Sequence, residues 1–366
     1  MKFFIGEGKL QELKAKAAAN KANLIIFDHE LSPSQVRNLE AELNAKVVDR
    51  TSLILDIFAQ HAHSKEGKLQ VELAQTNYTL THLVGTGVLM SRLGGGIGTR
   101  GPGETKLEMD RRRIRERISL LKNELESVRN NRSIRRKARK EALLPVAAVV
   151  GYTNSGKSTL LNALTGAEVL VQDKLFATLD PTVRRVKLPN EREILLTDTV
   201  GFVHKLPHNL VEAFHATLEE VTEADILLHV VDISHPYFED QIGAVYRVLE
   251  ELNAITKPII TVFNKIDKIK DKFPKKFEKK FKPAVLISAA NKENLQALLN
   301  LVQKELEKHM KVLKFEIPID QMNMVHLLHE KAEVKSEEYK EDRVVIKAKV
   351  DEITKNRFEK YLQLRN

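Results

Sequence analysis

The first sixty residues set short apolar runs between polar ones. Asn23–Phe27 (NLIIF) has the unbroken apolar character of a buried strand, and Lys46–Val48 is a shorter candidate. Between them Ser32-Pro33 opens a helix to about Leu43. Ser can cap the first N–H groups there, and Pro stands in a first turn that needs no N–H from it. An apolar helix is expected over Ser52–Gln60, so residues 1–64 read as a small α/β subdomain.

A different period follows. Leu69, Leu73, Thr76, Leu80 and Leu83 alternate steps of four and three, and Leu107, Ile114, Ile118, Leu121, Leu125 and Val128 keep the same heptad phase. Two helices with matching apolar seams predict an antiparallel coiled-coil hairpin over 65–143. Arg111 takes one seam position near the end, where it can reach solvent. The loop joining the helices, RLGGGIGTRGPGE at 92–104, holds six glycines and is expected to form neither helix nor strand.

Beyond the basic helix end Ser133–Glu141, Pro145 marks a boundary. Apolar strands are then expected at Val146–Val150, 195–197, Leu227–Val231, Ile259–Phe263 and Val285–Ile287, and a helix from Ser158 to Thr165. They define a central domain over 144–310 with a mostly parallel sheet and helices on both faces. The last part, 311–366, reads as a small α+β domain: strand Val312–Ile319, helix Met322–His329, strand Arg343–Val350 and helix Asp351–Leu364.

Charge sharpens this picture. The 366-residue chain has a net charge of +9, yet Arg92–Lys140 alone carries 16 Lys/Arg against 6 Asp/Glu. A basic arm of this kind suits a polyanion. Glycine lets backbone N–H groups approach phosphates and Arg adds charge and stacking, so Arg92, Gly94, Gly95, Gly96, Arg100, Gly101 and Gly103 are the candidate RNA contacts. Lys268–Lys282, with three Phe, is a second basic segment that fits RNA contact or a lysine-rich surface helix equally. The chain has no Cys, which excludes disulfides and thiolate metal sites. Neither a signal peptide nor an apolar run of the ~20 residues that span a bilayer is read, so a cytoplasmic monomer with no membrane span is expected.

Candidate chemistry sits at the carboxyl ends of the central strands, where open α/β sheets bind ligands. Gly151-Tyr152-Thr153-Asn154-Ser155-Gly156-Lys157-Ser158 has the spacing of a P-loop: backbone N–H groups cradle phosphates, Lys157 neutralises β and γ oxygens, and Ser158 ligates Mg²⁺. Asp198-Thr199-Val200-Gly201 follows, with Asp198 on the same Mg²⁺ through water and the Gly201 N–H at the γ-phosphate. Asn264-Lys265-Ile266-Asp267 supplies the base selector. The Asp267 carboxylate accepts from the guanine N1/N2 edge, Asn264 supports the loop and Lys265 packs along the ring. In Ser288-Ala289-Ala290, the Ala289 N–H can reach guanine O6. Four motifs in this order are the pattern of a P-loop GTPase.

The run Asp173–Thr182 is the expected switch loop, in which Thr178 and Thr182 both qualify as Mg²⁺ ligands; Phe176, Ala177, Thr178, Leu179 and Asp180 are assigned to the nucleotide site. Lys157, Thr178 and Gly201 are the catalytic candidates. Phe202 stands where many GTPases place a Gln that orients water, which predicts slow intrinsic hydrolysis speeded by an outside group. A partner side chain or RNA, a monovalent cation near Asn154, or another part of the switches would serve. His204 and His208 read as surface switch residues.

Four stretches resemble HflX, a family of ribosome-associated GTPases: LSPSQVRNLE at 31–40, EGKLQVEL at 66–73, GGGIGTRGPGETKL at 94–107, and FATLDP at 176–181 with the DTVGF run. The resemblance implies binding of GTP and GDP and docking on the large ribosomal subunit and its rRNA, with the glycine loop near the peptidyl-transferase region. It also implies ribosome-stimulated hydrolysis and a role in ribosome splitting or rescue under stress. It makes Thr178 rather than Thr182 the switch ligand, and it allows ATP use in some members. The alternative from another class is an RNA-binding assembly factor or scaffold in which nucleotide is regulatory or structural.

Overall fold

The computed structural model describes residues 2–83, 102–141, 144–166, 182–202, 215–269, 275–308 and 310–363. They fall into two compact units, the first formed by Met1–Asn130 with Lys205–Ala216 and the second by Asn131–His204 with Thr217–Asn366.

In the first unit, α1 (Glu7–Ala19), β1 (Leu24–Phe27), α2 (Pro33–Leu43), β2 (Lys46–Asp49) and α3 (Arg50–His61) surround a parallel β1–β2 pair. The core holds Leu10, Ile25, Phe27, Leu31, Leu39, Leu43 and Val47. Ser32 caps α2 through a reciprocal box: Gln35 N–H donates to Ser32 Oγ at 3.3 Å, and Ser32 N–H donates to Gln35 Oε1 at 2.9 Å. The helix α3 starts two residues earlier than the apolar pattern suggests, because Asp49, the last residue of β2, is its N-cap and accepts from Ser52 N–H at 2.8 Å.

The two long helices α4 (Lys65–Leu83) and α5 (Pro102–Glu141) form the expected hairpin. Leu69, Leu73, Leu121 and Leu125 are buried in one seam, flanked by Ile118 and Val128. Arg117 reaches across to Glu72 with Nη2 at 2.6 Å. Toward the other end Thr76, Leu80, Leu83, Arg111 and Ile114 are only half-buried. One expectation is corrected: Pro102, Gly103 and Glu104, assigned to the loop at 92–104, lie inside α5. A first helical turn tolerates Pro and Gly because its N–H groups have no partners within the helix. Residues 92–101 lie outside the described set.

The second unit is built on a six-stranded sheet in the order β4-β5-β3-β6-β7-β8. Its strands are β3 (Val146–Gly151), β4 (Val183–Lys187), β5 (Glu193–Asp198), β6 (Ile226–Asp232), β7 (Ile259–Asn264) and β8 (Ala284–Leu286). All neighbours pair in parallel except β4, which runs antiparallel to β5 at the edge. Side chains alternate between the faces. Val149, Leu196, Val230 and Val262 pack against Leu160 and Leu161 of α6 (Lys157–Thr165) and Leu298 and Val302 of α10 (Leu295–Lys308). On the other face Val231 and Phe263 pack with Ile242 of α8 (Phe238–Glu251) and Phe277 of α9 (Lys275–Lys280). A further helix, α7 (His215–Glu223), precedes β6. Of the three Phe in the basic segment, Phe277 and Phe281 meet Phe238 and Phe263 edge-on, so these rings serve the core.

Residues from Lys311 form an antiparallel sheet, β10-β11-β9, from β9 (Lys311–Pro318), β10 (Glu333–Tyr339) and β11 (Arg343–Val350). The helix α11 (Met322–Lys331) closes a core containing Phe315, Leu328, Ile346 and Phe358. The helix expected over 351–364 is shorter: α12 covers Glu352–Arg357, and a 3₁₀ turn at Glu359–Tyr361 follows. That break lets Phe358 and Tyr361 both enter the core. Ile319 likewise starts a 3₁₀ turn rather than ending β9. The turn between β4 and β5 holds this part at its tip. Arg192 Nη2 lies 2.8 Å from Asp351 Oδ2, and on the same turn Asn190 Nδ2 donates to Glu307 Oε1 of α10 at 3.4 Å. Among the described residues no helix is long and apolar enough to cross a membrane.

Candidate nucleotide site

The residues 151–158 leave the end of β3, turn back on themselves and become α6. Two glycines make that path possible. A Cβ on Gly151 would lie 2.3 Å from the Val230 carbonyl oxygen. Gly156, at φ +94°, would place a Cβ 2.3 Å from Asn264 Nδ2. The loop thus runs against β6 and the end of β7, and Asn154 takes a left-handed φ of 60° between them.

Lys157 is buried, and its Nζ donates to the carbonyls of Tyr152 at 2.9 Å and Gly151 at 3.3 Å. Burial pushes its ammonium down to about 8; Asp198 opposes this and Lys265 adds to it. Ser158 Oγ donates to Asp198 Oδ2 at 2.8 Å, bringing the hydroxyl and carboxylate expected at Mg²⁺ side by side. Asp198 is fully buried, and its Oδ1 accepts from the Thr199 N–H at 3.0 Å. Thr199 Oγ1 donates to the Val149 carbonyl at 2.7 Å. Gly201 abuts the loop, with a Cβ position only 2.9 Å from Lys157 Nζ.

Phe202 is buried, and its backbone pairs with the loop. The Phe202 N–H donates to the Gly151 carbonyl at 3.0 Å, and the Thr153 N–H donates to the Phe202 carbonyl at 2.9 Å. This residue therefore fastens the Asp-x-x-Gly turn to the phosphate loop.

The third motif clamps the first. Asn264, buried, donates from Nδ2 to the Ser155 carbonyl at 2.9 Å and accepts on Oδ1 from the Ala289 N–H at 3.0 Å. The Ala289 N–H, expected on guanine O6, is thus engaged with Asn264 instead: a carboxamide oxygen beside the loop satisfies it locally. Lys265, at φ 68°, spans Asn154 O at 2.8 Å and Asp232 Oδ2 at 2.7 Å. Asp267 Oδ1 accepts from Ser288 Oγ at 2.5 Å, so the residue expected to select the base is held by the fourth motif. Ile266 opens the 3₁₀ turn that carries Asp267. Asp232 was not among the sequence candidates; the one available signal was an acid directly after strand Leu227–Val231. The expected site residues Phe176, Ala177, Thr178, Leu179 and Asp180, along with His204 and His208, lie outside the described residues, as do Arg92, Gly94, Gly95, Gly96, Arg100 and Gly101.

The Lys157 environment predicts a pH signature. Triphosphate oxygens would hold the ammonium charged, whereas without nucleotide the buried Lys157 releases its proton near pH 8. Above that pH, binding must take up a proton. Apparent affinity for GTP is expected to fall about tenfold between pH 7 and 9 by titration calorimetry, with proton uptake seen in buffers of different ionisation enthalpy. The empty fold moves the other way: its Lys pKa lies below the unfolded value of 10.5, so stability rises as pH climbs from about 8.

A phosphate loop, an acid-ended strand beside it and an Asn-Lys-x-Asp clamp at one edge of a mostly parallel sheet define a P-loop GTPase. Family models agree: "50S ribosome-binding GTPase" matches residues 146–265, "GTP-binding GTPase Middle Region" 61–139 and "GTP-binding GTPase N-terminal" 1–59. GTPase HflX of Caldanaerobacter subterraneus subsp. tengcongensis is 51% identical over 359 residues, covering 98% of this chain and 83% of that protein. GTPase HflX of Lacrimispora saccharolytica is 50% identical over 347 residues, covering 95% and 82%. A GDP-bound GTP-binding protein of Sulfolobus solfataricus is 30% identical at a TM-score of 0.46, covering 83% and 86%. The chain belongs to the HflX family of GTPases and hydrolyses GTP.

Proposed function

We propose that this GTPase is a cytoplasmic, monomeric switch that docks on the large ribosomal subunit and acts in ribosome splitting or rescue under stress. Its intrinsic turnover is slow, and the ribosome speeds it. The division into 1–64, 65–143, 144–310 and 311–366 assigns the binding arm to the second segment and the nucleotide to the third. The observation that carries this reading is the charge on the arm. Arg92–Lys140 holds more excess positive charge than the whole chain, and Arg112, Arg113, Arg115 and Arg117 of α5 are exposed beside a seam that stiffens it. Such a rod binds nucleic acid mainly by displacing counterions from phosphates.

At the nucleotide, Lys157 would meet the β and γ oxygens, the Gly201 N–H the γ-phosphate, and Asp267 the guanine edge. The Ser158 hydroxyl and Asp198 carboxylate, 2.8 Å apart, suit a hard cation. They and Thr178 would hold Mg²⁺, whose charge neutralises the phosphates. Because Phe202 is buried and paired through its backbone, the group that orients water comes from elsewhere.

Deleting Gly94–Gly103 should abolish ribosome-stimulated turnover and subunit splitting while GTP affinity stays within about twofold. Single-turnover hydrolysis with and without large subunits measures this. Stimulation that survives the deletion would refute the loop's role, and an absence of stimulation in the intact protein would favour the scaffold alternative.

A further inference from the structure

Phe202 leaves hydrolysis without the side chain that orients water in many GTPases, and the fold keeps a hydroxyl unused beside it. Thr153 is 7% exposed, and its Oγ1 is buried with no hydrogen-bond partner among the described residues. A buried polar atom without a partner costs stability, so a fold that retains one calls for a reason. Its place supplies one. The Thr153 N–H donates to the Phe202 carbonyl at 2.9 Å. A Cβ on Gly201 would lie 2.8 Å from both Cα and Cγ2 of Thr153 and 2.9 Å from Lys157 Nζ. The Thr153 side chain, the Lys157 ammonium and Gly201 therefore share one small space.

The other buried polar groups of these two motifs are committed. Lys157 Nζ, a donor only, lies on the loop carbonyls. Asp198 accepts from Ser158 Oγ and from the Thr199 N–H, and Thr199 Oγ1 donates to the Val149 carbonyl. Ser155 Oγ is also buried without a partner, but it sits beside Gly151 and the Val230 carbonyl, whereas the atoms nearest Gly201 belong to Thr153 and Lys157. We infer that Thr153 is a catalytic residue, its hydroxyl accepting a hydrogen from the attacking water and donating its own to a γ-phosphate oxygen. A hydroxyl can do both at once. The water oxygen bonds to the γ-phosphorus while the bond from that phosphorus to the β–γ bridging oxygen breaks. The electron pair leaves on GDP, and the proton of the water passes to a phosphate oxygen. A Gln offers separate atoms for the two tasks and Thr a single oxygen, which suits the slow intrinsic turnover proposed above. Phosphate oxygens that draw Lys157 off the loop carbonyls would uncover Thr153 beside it. The inference rests on the γ-phosphate lying at Lys157 and Gly201, as also proposed above.

Single-turnover hydrolysis of GTP by an excess of the full chain, without ribosomes, tests this. Affinity for the β,γ-imido analogue of GTP is measured beside it by calorimetry. Thr153→Val keeps the shape of the side chain and removes the hydroxyl. It should hydrolyse at least about tenfold more slowly, as a hydrogen bond to the reacting group is lost. It should bind the analogue within about twofold of the parent, because a contact made in the transition state moves rate rather than binding. Thr153→Ser keeps the hydroxyl and should stay within about threefold of the parent rate. In Thr153→Val a methyl replaces an unpartnered buried oxygen, so the melting point without nucleotide should not fall. Hydrolysis by Thr153→Val at the parent rate, or equal slowing in Thr153→Ser, would overturn the assignment. So would a lowered melting point with weakened analogue binding, the mark of a hydroxyl needed only for the fold. Lys157→Ala tests the placement separately and should weaken analogue binding at least about tenfold, since a charge-assisted contact is removed. Parental affinity in that variant would take the γ-phosphate away from Lys157 and Gly201, and the role of Thr153 with it. Lost affinity there beside an unchanged Thr153→Val rate would sink the Thr153 role alone.

Discussion

Asp267→Asn is expected to lower GTP affinity by two to four orders of magnitude and to admit xanthosine triphosphate in its place. The carboxylate is acceptor-only and, as the base selector, would face two guanine donors, N1–H and the 2-amino group. Two hydrogen bonds to a charged group contribute about 3–6 kcal/mol together. The Asn carboxamide keeps an acceptor for N1–H but offers an amide donor where the 2-amino group sits. Xanthine carries a carbonyl there and completes the pair. Ser288 Oγ, 2.5 Å from Asp267 Oδ1, can serve either side chain because a hydroxyl both donates and accepts, so the variant should keep its loop. Competition between the two triphosphates, read by calorimetry, checks the exchange; unchanged GTP affinity would show that Asp267 does not read the base.

Gly156→Ala should remove nucleotide binding and lower thermal stability together. The left-handed φ of +94° strains any side chain, and the new methyl would lie 2.3 Å from Asn264 Nδ2. Asn264 must then leave the Ser155 carbonyl, which strands a buried acceptor and pulls on the Ala289 N–H. Strain of about 1–2 kcal/mol and a lost buried bond of about 1–3 kcal/mol sum to a melting point about 5–15 °C lower for a domain of this size. Differential scanning fluorimetry without nucleotide measures the loss of stability, and the loss of a GDP-induced shift measures the loss of binding. A variant that melts like the parent and still shifts with GDP would show that the clamp is dispensable.

How far sequence reached depends on which forces shape each element. The Ser32 cap and the central strands were legible because they are set locally or by burial on both faces, which leaves unbroken apolar runs; the reciprocal bond from Gln35 emerged only in the structure. The strands β4 (VRRVK) and β10 (EVKSEEY) gave no such run. Both lie at sheet edges, where charges face water, and each is a strand only because β5 or β11 supplies its hydrogen bonds. The same logic covers Phe277 and Phe281: a lysine-rich stretch looks exposed until the partners Phe238 and Phe263 are in place. In the site, the four motifs named Lys157, Asp198, Asn264 and Asp267, and the fold brings these motifs against one another. The cross-links between motifs, Asp232 with Lys265 and Asn264 with Ala289, join residues 33 and 25 positions apart and carry no spacing rule.

The mooring of Arg192 on Asp351 changes what the β4–β5 ribbon can do. Its five paired positions run without a bulge from Val183 opposite Thr197 to Lys187 opposite Glu193. At its root the Asp198 N–H donates to the Thr182 carbonyl at 3.0 Å. One strand starts directly after Thr182 and the other ends on Asp198. With its far end tied to Asp351 by Arg192 and to Glu307 of α10 by Asn190, the ribbon has no free tip, and a displacement at its root would load those two contacts.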